Sequence, residues 1–229
     1  MGTISIVRDI WRNYFFLVET HQENLLLKRR INLLKRENTR YQELLLANQR
    51  LRDLLNFQEN TDEPILAARV IGWDSSGLFK SIIIDKGQDD GLKINMPVVN
   101  SEGVVGRVVS VSPNYTQVLL ITDQNSAVDG LVRRSRGRGM LKGNGSSECY
   151  FDYVIKTYDI NTGDTVVTSG LGRIFPKGLY LGVVKEINDS PNKLFKDVRV
   201  SPAVDFSKLE EVLIILRSGF VPSGIPEMQ

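Results

Sequence analysis

The sequence predicts a mainly β protein in which an N-terminal helical stalk precedes an all-β body. Over roughly the first 60 residues, apolar side chains recur at the spacing of a heptad repeat. After Pro64 they recur at every second residue and are interrupted by glycine. The first pattern is typical of a coiled-coil helix, and the second is typical of short strands joined by turns. A chain of 229 residues is long enough for one large or two small domains beside such a stalk.

The stalk is predicted to be a coiled-coil helix over residues 21–59. No glycine or proline interrupts the stretch from Val18 to Phe57. Its a/d seam advances in steps of four and three residues and, after a phase shift, continues toward the strands; its members are Leu27, Ile31, Leu34, Asn38, Tyr41, Leu45, Leu51 and Leu55. Because a lone heptad helix cannot bury its apolar stripe, we predict that the stalk forms a homodimer. The alternative is that the helix packs on its own β body.

The β body is predicted to contain two small domains, at residues 64–122 and 123–217. Eleven short apolar or alternating runs lie between turn signals, and this spacing favours barrels or sandwiches over alternating strands and helices. Late strands near 197–217, such as Val212–Leu216, are expected to return and complete the first domain, since chain ends often lie close together. The tail at residues 218–229 is rich in glycine and proline and is expected to be disordered.

Composition limits the function more than it defines it. The net charge of +2 gives no argument for nucleic-acid binding. The single cysteine, Cys149, cannot form an intrachain disulfide, and one cysteine with one histidine gives no zinc spacing. We therefore expect no cofactor and no metal. No run of about 20 apolar residues is present, so nothing in this sequence is expected to span a bilayer.

Two local features could carry chemistry. Ser169 lies in a Thr-Ser-Gly turn, but the only histidine, His21, lies in the stalk, so one chain cannot assemble a Ser-His-Asp triad. The second feature is a dense basic cluster formed by Arg133, Arg134, Arg136 and Arg138. Its arginines either bind an anionic partner or belong to a solvated hairpin in which they keep an edge strand from pairing.

Several sequence blocks together resemble the extracytoplasmic part of the MreC family of bacterial rod-shape-determining proteins. The most specific are Gly163–Gly170, which reads GDTVVTSG, and Phe175–Leu179, which reads FPKGL. Further blocks in the same order are Gly103–Val108, Leu119–Val128, Gly182–Val184 and Pro202–Phe206. The resemblance covers nearly the whole chain.

The resemblance implies a stalk followed by two six-stranded β-barrels without catalytic function. It implies a dimer that can form filaments and that links MreB and MreD to the class B penicillin-binding transpeptidase of cell elongation. It also implies a place on the outer face of the bacterial inner membrane, with a single-pass anchor that is missing here, so that residues 1–20 are a juxtamembrane remnant. Two other functions stay open: a trypsin-like hydrolase, active or degenerate, and a periplasmic adaptor of a transport complex.

Overall fold

The structure is a computed structural model that describes residues 3–59, 63–74, 79–189 and 194–216. A single helix, α1, runs from Thr3 to Glu59 without a break at residue 21. The chain divides into two compact units at Asp53–Leu54, so the last turns of α1 belong to the same unit as the strands. Within the described residues, no helical segment is long and apolar enough to cross a membrane.

Twelve strands follow the helix in the described part of the chain. The first six are β1 (Ile65–Trp73), β2 (Ser81–Ile84), β3 (Pro97–Val99), β4 (Val104–Val111), β5 (Thr116–Leu120) and β6 (Ala127–Val132). The others are β7 (Arg138–Gly143), β8 (Cys149–Ile155), β9 (Thr165–Thr168), β10 (Tyr180–Asn188), β11 (Phe195–Pro202) and β12 (Glu211–Ile215). Their Val- and Ile-rich sequences suit a pleated, half-buried surface.

The strands form two closed antiparallel barrels of six strands each. The first barrel has the order β1-β12-β3-β4-β5-β2, and the second has the order β10-β11-β8-β7-β6-β9. Thus β12 returns to the first barrel, where Leu213 pairs with both Ala67 and Val99. Strand β11, which lies in the same late segment of the chain, pairs with β8 and β10 in the second barrel instead.

Each barrel encloses its own apolar core. The core of the first barrel contains Ile82, Ile84 and Val98, all fully buried. The core of the second barrel is built around the fully buried ring of Phe151 and belongs to a larger apolar cluster, which also includes Leu54 at the end of α1 and first-barrel residues such as Leu213. Small closed barrels have room inside for side chains only, so these cores leave the outer faces and the joint between the barrels as the surfaces for binding.

The predicted fold class is confirmed: one N-terminal helix is followed by two closed six-stranded barrels. One strand was missed, because β7 lies inside the Arg-Gly segment, whose charge and glycine content hide its alternation. The predicted tail at residues 218–229 lies outside the described residues.

Candidate partner-binding surfaces

The predicted seam of the stalk is solvent-exposed in the single chain. Its leucines, isoleucine and tyrosine are between 49% and 62% exposed, and Asn38 is exposed among them. Leu26 and Leu33, which lie off the seam, are equally open at 65% and 57%. A stripe of this length would normally be covered in a soluble protein. The exposed seam is therefore the surface that the predicted homodimer would cover.

The end of the stalk behaves differently from its middle. Leu54 is only 7% exposed and belongs to the apolar cluster that contains residues of both barrels, and Phe57 packs against that cluster. The adjacent seam residue Leu55 is 57% exposed. The intramolecular packing considered for the helix therefore applies to its last turns, where Leu54 anchors α1 to the strands.

The basic cluster forms the hairpin that joins β6 to β7. Val132 and Gly137 close the turn through a backbone hydrogen bond of 2.8 Å, and Arg136 adopts a positive φ of 58° within it. Strand β7 pairs with β6 on one side and with β8 on the other. Because the barrel is closed, β7 is not an edge strand, and the interpretation that its arginines protect an edge is wrong.

One arginine of the cluster is occupied within the chain. The Arg134 guanidinium donates to both carboxylate oxygens of Asp164 at 2.9 Å and also pairs with Asp159. Hydrogen bonds from Arg134 are the main cause that lowers the pKa of both carboxyl groups, and they raise the pKa of the guanidinium itself. Asp164 belongs to the GDTVVTSG block, so its role there is to hold this hairpin against the neighbouring loop.

This ion-pair cluster predicts a pH-dependent contribution to stability. A carboxyl group whose pKa is lowered by folding stabilises the native state above its unfolded pKa and loses that contribution as pH falls through the folded value. Arg134→Gln is therefore expected to lower the melting temperature by a few degrees at pH 7, and the difference from the unmodified chain should shrink below about pH 4. Thermal melts followed by circular dichroism from about pH 2 to about pH 7, which spans the titration of the carboxyl groups, would measure this. A difference that is constant over that range would contradict the assignment.

The other three arginines remain available to a partner. Arg133, Arg136 and Arg138 are exposed, and none of them forms an ion pair within the described parts of the chain. Arg138 also lines a groove of about 310 Å³ on the outside of the second barrel. The cluster therefore contains one paired arginine and three free ones, and one of the free ones, Arg138, borders an apolar surface.

This groove, which we call the barrel-2 groove, combines apolar walls with a glycine floor. Its walls include Tyr153, Ile155 and Leu171, which are 53%, 47% and 61% exposed, and its floor includes Gly130 and Gly139. Large apolar side chains grouped on an outer barrel face are typical of protein contact sites. The groove was not predicted from the sequence, because Leu171 lies about 20 residues from β8 along the chain and only the pairing of β9 with β6 brings it to this face of the barrel.

Tyr153 is held rigidly at the rim of the barrel-2 groove. It lies at a β-bulge where the β8–β11 register shifts, and its φ is +61°. Its ring meets the edge of Phe195 with centroids 5.8 Å apart, and the Lys142 ammonium lies 4.6 Å from the ring centroid. Lys142 also donates to the Tyr153 hydroxyl at 3.2 Å, and this hydrogen bond is the main cause that raises the Lys142 pKa. Bulky side chains rarely adopt a positive φ, and such strain is concentrated at functional sites.

The Thr-Ser-Gly turn has a structural role. The buried Thr168 hydroxyl donates to the Pro176 carbonyl at 2.5 Å and accepts the Leu179 N–H at 2.9 Å. Gly170 has a φ of +79°, and a Cβ there would lie 2.9 Å from the Lys177 Cβ. The two specific blocks of the sequence therefore fasten one loop to another. The neighbouring Ser169 hydroxyl accepts the Leu171 N–H at 3.2 Å.

Removal of the Thr168 hydroxyl is expected to loosen this loop. Thr168→Val keeps the shape of the side chain but leaves the Pro176 carbonyl and the Leu179 N–H without that partner, which should cost about 2 kcal/mol of unfolding free energy. Thr168→Ser retains the hydroxyl and should cost much less. Urea denaturation of both variants measures the difference, and equal stability of the valine variant and the unmodified chain would contradict the role of the hydroxyl.

The other described side chains that could take part in catalysis or metal binding show no arrangement suited to either. Burial raises the pKa of the Cys149 thiol to about 12, so it stays protonated at neutral pH and is a poor nucleophile. Among the residues that the structure describes, no cluster of three His, Cys, Asp or Glu side chains could hold a metal ion. The Lys185 ammonium pairs with the Glu148 carboxylate.

The fold and these surfaces define a protein with an N-terminal helix and two β-barrels, in which the second barrel exposes an apolar groove and free arginines. Residues 70–216, which hold most of the double-barrel body, match the family described as "Rod shape-determining protein MreC, barrel core". The chain belongs to the MreC family, as its sequence blocks predicted.

Known proteins place this membership in context. The "Cell shape-determining protein MreC" of Haemophilus influenzae is 33% identical over 215 residues, which cover 92% of this chain and 60% of that protein. A crystal structure of MreC from Pseudomonas aeruginosa is 34% identical, with a TM-score of 0.65 over 67% of this chain and 99% of that one. MreC in a complex with penicillin-binding protein (PBP2) from Helicobacter pylori has a TM-score of 0.53 at 19% identity, over 66% of this chain and 99% of that one, and shows the fold alone.

Proposed function

We propose that this chain is a non-catalytic scaffold of the bacterial elongation machinery. It acts at the extracytoplasmic face of the inner membrane, where it dimerises through the stalk seam, with filament formation as a further step. Its second barrel binds the class B penicillin-binding transpeptidase, and the protein links that enzyme to MreB and MreD to maintain rod shape. It requires no cofactor and binds no nucleic acid.

The observation that carries the proposal is the exposed barrel-2 groove. A tyrosine held in place by Phe195 and Lys142 loses little side-chain entropy when a partner covers it. Tyrosine and arginine are also the residue types that most often dominate binding energy at protein interfaces. Tyr153 and Arg138 line the same groove, so one partner segment can contact both.

The family relationship supports this choice of partner class. The Helicobacter pylori relative with the same fold is described in a complex with a penicillin-binding protein. Neither the hydrolase nor the adaptor alternative has a comparable observation, since the Ser169 hydroxyl caps a turn and the one α-helix among the described residues precedes every described strand.

The proposal is tested by capture of the elongation transpeptidase from the same organism. We expect the immobilised chain to retain the purified extracytoplasmic part of that enzyme, and Tyr153→Ala combined with Leu171→Glu to weaken binding at least about 30-fold, as expected for loss of interface anchors. Tyr115→Ala is the matched control, because Tyr115 is an equally exposed tyrosine, at 52%, on the first barrel. Retention that is unchanged by the groove variant would contradict the proposal.

The arginines provide a second arm of the same experiment. Neutralising Arg133, Arg136 and Arg138 together with glutamine is expected to weaken binding and to reduce its salt dependence, because these side chains are free to meet carboxylates of the partner. Arg134→Gln should have little effect on capture, since Asp159 and Asp164 already occupy that guanidinium. Equal losses from both variants would show that the cluster acts only through the stability of the hairpin.

A further inference from the structure

A second cavity lies where the chain passes between the two barrels. This inter-barrel cleft has a volume of about 750 Å³ and receives walls from β1 and β2 of the first barrel, from β11 and the β7–β8 turn of the second, and from the connection that returns to β12. Ligand sites favour such junctions and such volumes. The cleft lies among residues other than those that line the barrel-2 groove.

One wall of the inter-barrel cleft is aromatic and open. Trp73, the last residue of β1, and Phe79, just before β2, are each 47% exposed and face this space, and Phe206 adds a half-buried ring from the return connection. An indole that is this open costs hydrophobic free energy in an isolated chain. Such a ring offers a flat apolar face to a ligand.

The part of the cleft formed by the second barrel carries hydroxyl groups. Ser147 and Ser201 are both exposed there, and neither hydroxyl forms a hydrogen bond within the described residues. The Ser207 hydroxyl lies nearby and is bound to Asp205 at 2.6 Å. A hydroxyl both donates and accepts, so this wall suits a ligand whose own groups do the same.

The charges at the inter-barrel cleft cancel. The Asp205 carboxylate, which lines it, is paired with Lys208 at 2.7 Å. Asp74 and Lys80 contribute one charge of each sign, and the Lys80 ammonium also donates to the Ser146 carbonyl at 3.0 Å. A phosphate or an acidic peptide would find no net positive charge there, in contrast to the arginine-bordered groove.

We propose that the inter-barrel cleft is a binding site for a neutral oligosaccharide. A pyranose ring has an apolar C–H face, which stacks on Trp73, and equatorial hydroxyls, which reach Ser147 and Ser201 across the cleft. The combination of an open indole, unpartnered hydroxyls and balanced charge favours this ligand class over anions. The volume of the cleft is large enough for two or more sugar rings. The proposal does not depend on the transpeptidase partner.

Tryptophan fluorescence tests it directly. The chain has two tryptophans, so in a Trp11→Phe background Trp73 is the sole reporter. Titration with chitotetraose, a neutral sugar polymer, is expected to give a saturable change in emission with a dissociation constant at or below about 1 mM. In calorimetry on the full chain, Trp73→Ala should weaken binding at least about tenfold and Ser201→Ala about threefold or more. Ile71→Ala, an exposed residue two positions earlier on β1, should leave it unchanged.

Other outcomes would overturn the proposal. The first is no saturable response to chitotetraose or cellotetraose up to about 10 mM, ten times the expected constant. The second is sugar binding that Trp73→Ala leaves intact. The third is a shift of Trp73 emission on deletion of residues 217–229 with no response to sugar, which would assign the cleft to the chain's own tail. A failure of sugar binding can be distinguished from a failure of the scaffold proposal. Trp73→Ala should still capture the transpeptidase, because the proposed site for that enzyme is the barrel-2 groove and not the inter-barrel cleft.

Discussion

Replacing Gly130 by valine is expected to destabilise the double-barrel body by about 3 kcal/mol or more, because the core has no space for the added atoms. A Cβ at this position would lie 2.9 Å from the Phe151 ring and 3.3 Å from the Leu181 side chain. On the paired strand, a Cβ at Gly139 would lie 2.8 Å from the other side of the same ring. The two glycines therefore form the slot that admits Phe151. Urea unfolding followed by circular dichroism measures the loss.

A control variant and a double-mutant cycle test whether the Phe151 ring is the cause of this loss. Gly72→Ala on β1 is the matched control, because the nearest atom to its added methyl group would be 3.6 Å away, and we expect a change of less than about 1 kcal/mol. Phe151→Leu should be partly compensated in the Gly130→Ala background, since a smaller side chain makes room for the methyl group. Strictly additive losses in this double-mutant cycle would show that Phe151 does not set the requirement for glycine.

Leu34→Glu is expected to convert a dimer of this chain into a monomer. Leu34 occupies the middle of the stalk seam, so in a dimer two carboxylates would be buried against each other without partners, at a cost of several kcal/mol. That cost corresponds to at least about a 100-fold weaker association. Light scattering across a micromolar concentration series would show twice the chain mass for the unmodified protein and the single-chain mass for the variant.

The neighbouring residue provides the control for register. Leu33 and Leu34 are almost equally exposed in the single chain, at 57% and 54%. Leu33 lies off the seam, so Leu33→Glu should leave the dimer intact, whereas random hydrophobic association would be weakened equally by both. A monomer at all concentrations for the unmodified chain would remove the stalk dimer from the proposed function.

Much of the fold could be predicted because its signals are local. The heptad spacing of α1 and the alternation in strands such as β4 depend only on near neighbours along the chain, so a pattern count finds them. Strand β7 was not predicted, because its residues do not show the usual alternation. Gly139 is small to leave space for the Phe151 ring, and this contact is with a residue of another strand. The same reason explains why three exposed arginines and one paired arginine looked alike in sequence.

The surfaces required the tertiary structure. Tyr153 and Leu171 line the same groove only because β9 pairs with β6, and Trp73 and Ser201 line the same cleft only because the chain crosses between the barrels twice. By itself, the sequence determined the helix-then-strand order, the absence of a triad within one chain and the family, since each follows from residue type and spacing. Which strand completes which barrel, and which side chains share a groove, was decided by closure of the sheets, because hydrogen-bond pairing joins residues far apart in the chain.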